Sequence, residues 1–278
     1  MIFVNKKILV IILIAIANLH SQTLKDQFSY ANELFNEGKY FDAITEFKRL
    51  QFFDSENQFS FQSNILIGIS YKAGAKFDDA IKYFTLAEIS SRNDEEYFNS
   101  NILKARTNIL RRTNHQAERI LNELLVDTKF KSKENEIKYW LGWNLIFLDE
   151  WKKASQIFLE NNLDTTLSNL CISVDDKMYS VNFAKYSSYI IPGFGQFYTG
   201  EYVSGLLSLS WNVFAGYLTV NSFVEDRVFD GIITANFLWM RFYSGNTQNA
   251  EKFALQKNLE ISNKALNYLQ FQFKGEKP

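Results

Sequence analysis

Side chains able to do covalent or acid–base chemistry are scarce in this chain. It holds two histidines, His20 and His115, and one cysteine, Cys171. A catalytic centre needs a positioned nucleophile, a base or a metal, and beyond residue 21 only His115 and Cys171 remain to build a His/Cys site. A lone cysteine makes no internal disulfide, so Cys171 reads as a buried spectator thiol. His115 follows Asn114 at a helix start, near Arg111, Arg112 and Arg119, and reads as an exposed histidine in a basic patch. The acidic pairs Asp78-Asp79, Glu95-Glu96 and Asp175-Asp176 fall at helix starts or joins, where carboxylates favour the helix dipole. The glycines at 193, 195 and 200 are followed by no Lys-Ser or Lys-Thr and preceded by no strand pattern, which argues against a phosphate loop. The expectation is a protein that is not an enzyme, with no cofactor, no metal and no catalytic residues.

Two segments carry unusual polar residues in apolar surroundings. The first is Ile191-Pro192-Gly193-Phe194-Gly195-Gln196-Phe197-Tyr198-Thr199-Gly200, followed by Gly205. Pro192 has no amide hydrogen and biases Ile191 away from helix. Gly193 and Gly195 open backbone angles closed to other residues, and Gln196 is placed to bond the freed backbone groups. The second is Phe242-Tyr243-Ser244-Gly245-Asn246, read as another turn, with Asn258 beyond it. Asn212 lies mid-helix in the hydrophobic run between them; a buried Asn needs partners, so it is expected to pair with one of these turns. A tight, well-satisfied helical turn is favoured over direct binding of a ligand or lipid.

The elements that position these segments follow from a repeat. Ala43, Ala80, Ala117 and Ala154 lie 37 residues apart. Twelve residues before each is Ala31, Gly68, Ala105 or Gly142, and four residues after each is Phe47, Phe84, Leu121 or Phe158. Small residues at two fixed points let paired helices approach closely, and the large residue a turn later fills the space between them. The pattern predicts four stacked helical hairpins over residues 22–172, ending in a cap and join at 161–176. One hairpin cannot bury its apolar face alone, so several must stack.

This register resembles the tetratricopeptide repeat (TPR), whose small residues fall at its eighth and twentieth positions and whose aromatics fall at its seventeenth and twenty-fourth. The period here is 37 rather than the usual 34, which implies longer joins such as Asp54-Ser55-Glu56-Asn57. Asn108 stands where the third unit should carry an aromatic. The resemblance implies a concave groove that holds a peptide or helix of a partner protein. Residues 180–260 resemble an uncharacterised bacterial envelope module. Pro192, Gly193, Gly195, Gln196, Tyr198, Gly200, Gly205, Asn212, Tyr243, Ser244, Gly245, Asn246 and Asn258 match its motif. Its association with membrane protein insertion efficiency factors implies a link to membrane-protein biogenesis.

Composition bounds the remaining classes. Apolar residues make up 46% and aromatics 16%, which excludes a disordered chain. The net charge of −1 gives no electrostatic case for nucleic acid. Residues 22–180 hold 20 basic against 24 acidic side chains, leaving a groove without strong sign. Lys6 and Lys7 precede the apolar run Ile8–Ala17 and Ser21, the pattern of a secretory signal over residues 1–21. Between Lys185 and Glu225 the only charge is Glu201, and residues 202–224 are long enough to cross a bilayer, although the small and hydroxyl residues among them could equally pack a soluble helical hairpin. The second apolar stretch, Val228 to Tyr243, is marginal as a span because Asp230 and Arg241 interrupt it. The expected architecture is all-α: a signal peptide (1–21), a TPR-like helical-hairpin solenoid (22–172), a hydrophobic helical hairpin module inserted in or apposed to a membrane (177–262), and a tail (263–278). The expected role is an exported, protein-binding adaptor or scaffold of the periplasmic cell envelope, with membrane-protein assembly or outer-membrane biogenesis as the alternative.

Overall fold

A computed structural model describes residues 23–278; the expected signal segment lies outside the described residues. The fold is all-α, with no strand among the described residues. The chain divides into two compact units, one ending at Leu148 and one covering Asp149–Lys277.

The first unit contains α1 (Leu24–Asn36), α2 (Tyr40–Phe53), α3 (Ser60–Ala73), α4 (Phe77–Ile89), α5 (Asp94–Leu110), α6 (Asn114–Val126), a 3-10 turn (Thr128–Lys133) and α7 (Glu134–Phe147). Consecutive helices pack pairwise, and each pair stacks on the next. The small positions Ala31, Ala43, Ala80, Ala105 and Ala117 are fully buried, as are Phe47, Phe84 and Leu121. Gly68 gives the reason: a Cβ there would lie 2.5 Å from the Phe84 ring of its own hairpin. Position 68 is small because position 84 is large. Gly142 is buried on α7, and Ala154 and Phe158 are buried on the first helix of the second unit. The expected fourth hairpin therefore contributes one helix to each compact unit.

The hairpin turns repeat as strictly as the packing. Gly38, Ala75, Arg112 and Asp149 are all left-handed, at φ 75°, 55°, 65° and 61°. Each stands five residues before its small alanine. In the first three turns the next amide closes the preceding helix: Lys39 N–H donates to the Leu34 carbonyl, Lys76 to Tyr71 and Thr113 to Asn108. This is the Schellman arrangement. A Cβ at Gly38 would meet nothing within 4 Å, so alanine, arginine and aspartate can take its place at the cost of backbone strain alone. Asn108 does the work expected of an aromatic by a different route: its Oδ1 accepts from Thr113 Oγ1 at 2.7 Å and its amide donates to the Lys104 carbonyl.

The long joins are ordered by charged side chains. Asp54 is buried and its carboxylate accepts from the Gln58 and Phe59 amides at 2.9 and 2.7 Å. Arg92 in the next join donates to the Asn57 carbonyl at 2.7 Å, so successive joins clasp each other. The expected basic patch is largely neutralised: Arg111 pairs with Asp78 at 2.6 Å, Arg112 donates to the Phe147 carbonyl, and Arg119 pairs with Glu123. Asp78, Asp79, Glu95 and Glu96 do occupy first helical turns. Asp175 instead ends its helix, where a carboxylate gains nothing from the dipole.

The second unit contains α8 (Trp151–Glu160), α9 (Thr165–Asp175), α10 (Val181–Ile190), α11 (Phe194–Tyr198), α12 (Tyr202–Val224), α13 (Val228–Ile233), a π-helical stretch (Thr234–Trp239) and α14 (Met240–Phe271). The expected cap at 161–176 is the helix α9, started by the Asp164 carboxylate on the Leu167 amide and packed on α8. Helices α12 and α13–α14 form a long antiparallel hairpin. The Tyr243–Asn246 segment is not a turn. It lies inside α14, which runs without interruption to Phe271 through much of the segment expected to be a tail. Neither Gly245 nor Asn246 breaks the helix, because Asn246 spends its side chain on another segment and leaves its own backbone bonds intact.

Candidate functional site

The Pro-Gly motif is a cross-braced re-entrant turn. Helix α10 rises alongside α14, Pro192 ends it, and α11 descends to Gly200, from which α12 starts. Gly193 is left-handed at φ 91°. Its N–H donates to Asn246 Oδ1 at 2.7 Å, which also accepts from Gln196 Nε2 at 3.1 Å and from Ser208 Oγ at 2.8 Å. The Asn246 amide donates to the Ser188 carbonyl at 2.8 Å. One side chain on α14 thus ties together α10, the turn, α11 and α12. Gly195 sits where a Cβ would lie 2.2 Å from the Ala184 carbonyl oxygen, and its N–H donates to Ser188 Oγ. Tyr198 accepts from the Ser180 amide, Tyr243 donates to the Tyr189 carbonyl at 2.7 Å, and Asn258 pairs with both backbone groups of Tyr179.

The motif residues Gly193, Gly195, Gln196, Tyr198, Tyr243 and Asn246 are therefore brought together as bracing of the turn. Asn212 is not braced by a turn as expected. Its amide donates to the Ser208 carbonyl one helical turn back, and its buried Oδ1 has no partner. Ser208 is the residue that reaches Asn246. Ser188 and Ser208 were invisible as site residues because a serine in an apolar helix carries no positional mark. Their only signal is spacing, since Ser208 stands four residues before Asn212. Ser244 and Gly245 carry no bond to the turn; Gly245 would meet nothing within 4 Å if a Cβ were added.

The same turn grammar recurs here. Gly200 and Asp226 are left-handed at φ 81° and 58°, followed by Glu201 and Arg227 amides that donate to Gln196 and Ser222 carbonyls. Five residues on stand Gly205 and Gly231, where a Cβ would crowd the Phe197 and Phe223 rings at 3.0 and 2.9 Å. The second unit uses the hairpin turns of the first.

The long hairpin differs from the array in what it buries. On α12 the inward positions are Gly205, Asn212, Ala215, Thr219 and Ser222, all small or polar. The outward positions are large and apolar: Leu206, Val213, Phe214, Tyr217, Val220 and Val224 are each at least half exposed. Among the described residues α12 is the one helix long and apolar enough to cross a membrane, and only 22% of its most apolar window is buried. Its partner leg is matched in register. Gly231 packs on Phe223, Gly216 on Trp239, and Phe242 stacks on Trp211 at 5.1 Å. Residues 231–250 thus run opposite the uncharged α12, and Arg241 is their only charge. Between the legs lies a groove of about 590 Å³ lined by residues that include Ser204, Ser208, Asn212, Arg241, Gly245 and Asn249.

Nothing in the described residues gathers three or more metal-ligating side chains. His115 is exposed, with its Nδ1 3.9 Å from Glu118. Cys171 is fully buried on α9, and burial pushes its thiol up to about 12. No family model matches this chain, and comparison with curated proteins and with solved structures finds no match.

Proposed function

We propose that this protein is a non-enzymatic adaptor of the bacterial cell envelope, exported by its N-terminal segment and held in a membrane by the α12–α14 hairpin. Its helical-hairpin array is of the tetratricopeptide type and binds a segment of a partner protein. The observation that carries the membrane half is the inverted packing of α12. A helix folded in water turns its large apolar side chains inward. In hydrocarbon there is no such drive, and membrane helices meet through small and hydroxyl residues while large apolar ones face lipid. At 1.5 Å per residue, the 23 residues of α12 span about 34 Å, enough for a hydrocarbon core of about 30 Å. The adaptor half rests on the repeat packing. Extended stacks of this kind work through their surfaces.

Alkaline carbonate extraction of membranes tests the anchoring. The full chain is expected in the pellet. Its release into the soluble fraction would leave the apolar face of α12 to be covered by protein and would defeat the membrane reading. The groove beside Arg241 favours a second reading, in which the hairpin itself assists the assembly of other membrane proteins. Deletion of residues 180–278 separates the two: an adaptor loses only its location, whereas an assembly factor loses the membrane proteins it serves.

A further inference from the structure

We infer that the groove between α12 and α14 receives a transmembrane helix of a partner protein that carries a carboxylate near its midpoint, opposite Arg241. The inference rests on the membrane reading of the hairpin and goes beyond it by naming what the hairpin holds.

Arg241 stands eleven residues after Asp230 and ten before Glu251, at the middle of a leg with no other charge. It is exposed and makes no ion pair among the described residues. The tip charges are occupied with one another: Arg227 pairs with Glu225 at 2.7 Å and with Asp230 at 3.6 Å. Glu201, the other charged residue of the groove, pairs with Lys257 at 3.2 Å. A guanidinium at mid-membrane is strongly disfavoured unless it meets an opposite charge or water, and such residues mark functional sites.

The groove has a second unmet demand. Asn212 belongs to the groove lining and is 4% exposed, and its buried Oδ1 has no donor. The groove therefore offers one cation and one buried acceptor. Its walls combine small or polar side chains, Ser204, Ser208 and Gly245 among them, with the apolar Leu207, Trp211 and Phe242, a surface on which an apolar helix can pack. A helix with a mid-span Asp or Glu and a neighbouring hydroxyl or amide satisfies both demands. A second copy of this chain does not, because its own matching stretches contain no acid and would bring Arg241 against Arg241.

The test uses the full chain in phosphatidylcholine vesicles at pH 8, with 23-residue Leu/Ala transmembrane peptides that carry Glu, Gln or Lys at the centre and a dansyl group. Trp211 lines the groove and serves with the other tryptophans as energy-transfer donor. The Glu peptide is expected to half-saturate at about fivefold lower density than the Gln peptide. Arg241→Gln should abolish that difference, and Arg241→Glu should transfer the preference to the Lys peptide. Equal binding of the three peptides by a carbonate-resistant wild-type chain overturns the inference and leaves the anchor standing. A chain that does not enter the vesicles overturns both. If added phosphatidylglycerol removes the Glu preference and Arg241→Gln alters only the retention of that lipid, the groove is a lipid-phosphate site and the inference falls.

Discussion

Helices α4 and α12 are built on opposite rules. In α4 the buried face is Ala80, Phe84 and Ala87, and the exposed face includes Asp78, Asp79 and Lys82. In α12 the buried face is glycine, asparagine, alanine, threonine and serine, and the exposed face is valine, leucine, phenylalanine and tyrosine. Yet both are entered through the same left-handed turn, five residues ahead of a small residue. The turn and the close approach it permits are properties of the backbone and do not depend on the solvent. What faces outward depends on the solvent alone. The difference teaches that one hairpin turn can serve two opposite distributions of apolar side chains, because which residues point out can be exchanged while the turns are kept.

The comparison breaks most decisively under charge insertion. Phe84→Asp puts an unpaired carboxylate into the core of the array and is expected to destabilise it by about 4 kcal/mol or more, read as loss of the unfolding transition of the full chain in mild detergent. Val213→Lys places a charge on the outward face of α12, next to nothing that it must displace. Were that face in water, the effect would stay within about 0.5 kcal/mol. In a membrane the cost is about 3 kcal/mol, a shift of about a hundredfold toward the soluble fraction on carbonate extraction. An unchanged partition would place both helices under the same rule.

The next effect concerns polar bonds, which the array uses at its joins and the second unit uses at its centre. Asn246→Ala removes three accepted bonds and one donated bond at once, and strands the Gly193 amide in a buried turn while Gln196 Nε2 keeps only the residue-246 carbonyl. The expected loss is about 3 kcal/mol, measured by urea titration in detergent. Asn212→Leu, by contrast, removes a partnerless acceptor and is expected to change stability little. If the two substitutions weigh the same, Asn246 is not the brace.

Much of the array is legible from residue types because its contacts are local and periodic. The residues at 31, 68, 105 and 142 are all buried, and at Gly68 any side chain is excluded by the distance to the Phe84 ring of its own hairpin. The left-handed turn is not legible, since Gly38, Ala75, Arg112 and Asp149 share a conformation and no chemistry. Space around the Cβ admits all four, so the position constrains backbone and not side chain. The second unit is less legible for a different reason. Asn246 reads as a turn residue because asparagine is common in turns, but its bonds run to residues more than 35 positions away. Asn212 reads as a partner of one of the two turn segments because a buried asparagine needs partners; only the register of α12 against α14 reveals that Ser208 reaches Asn246 instead. Long-range polar bonds leave no period in a sequence.

A size exchange within the array sharpens the account of its close approach. Gly68→Ala gains helix propensity of about 1 kcal/mol but sets a methyl 2.5 Å from the Phe84 ring, and overpacking costs about 1–3 kcal/mol. The expected net is a destabilisation of about 1 kcal/mol. Phe84→Leu alone also destabilises, by loss of buried area. The double variant should be more stable than the sum of the two predicts, by about 1 kcal/mol in a double-mutant cycle. Simple additivity would mean that the ring and the glycine are independent.

An effect that vanishes at neutral pH locates where the packing of the array ends. Helix α9 belongs to the second compact unit, but it buries Leu167, Cys171 and Val174 as the array does. Burial raises the Cys171 thiol to about 12 in the folded chain, against about 8.5 when unfolded. Below pH 8.5 both states keep the proton and stability is level. Above it the unfolded chain releases the proton first, so stability falls with rising pH, by up to about 1.4 kcal/mol per unit. Iodoacetamide should therefore label Cys171 only through unfolding, and Cys171→Ser should flatten the alkaline slope. Rapid labelling of the native chain at pH 8 would mean that α9 opens to solvent and that the close packing of the array ends before it.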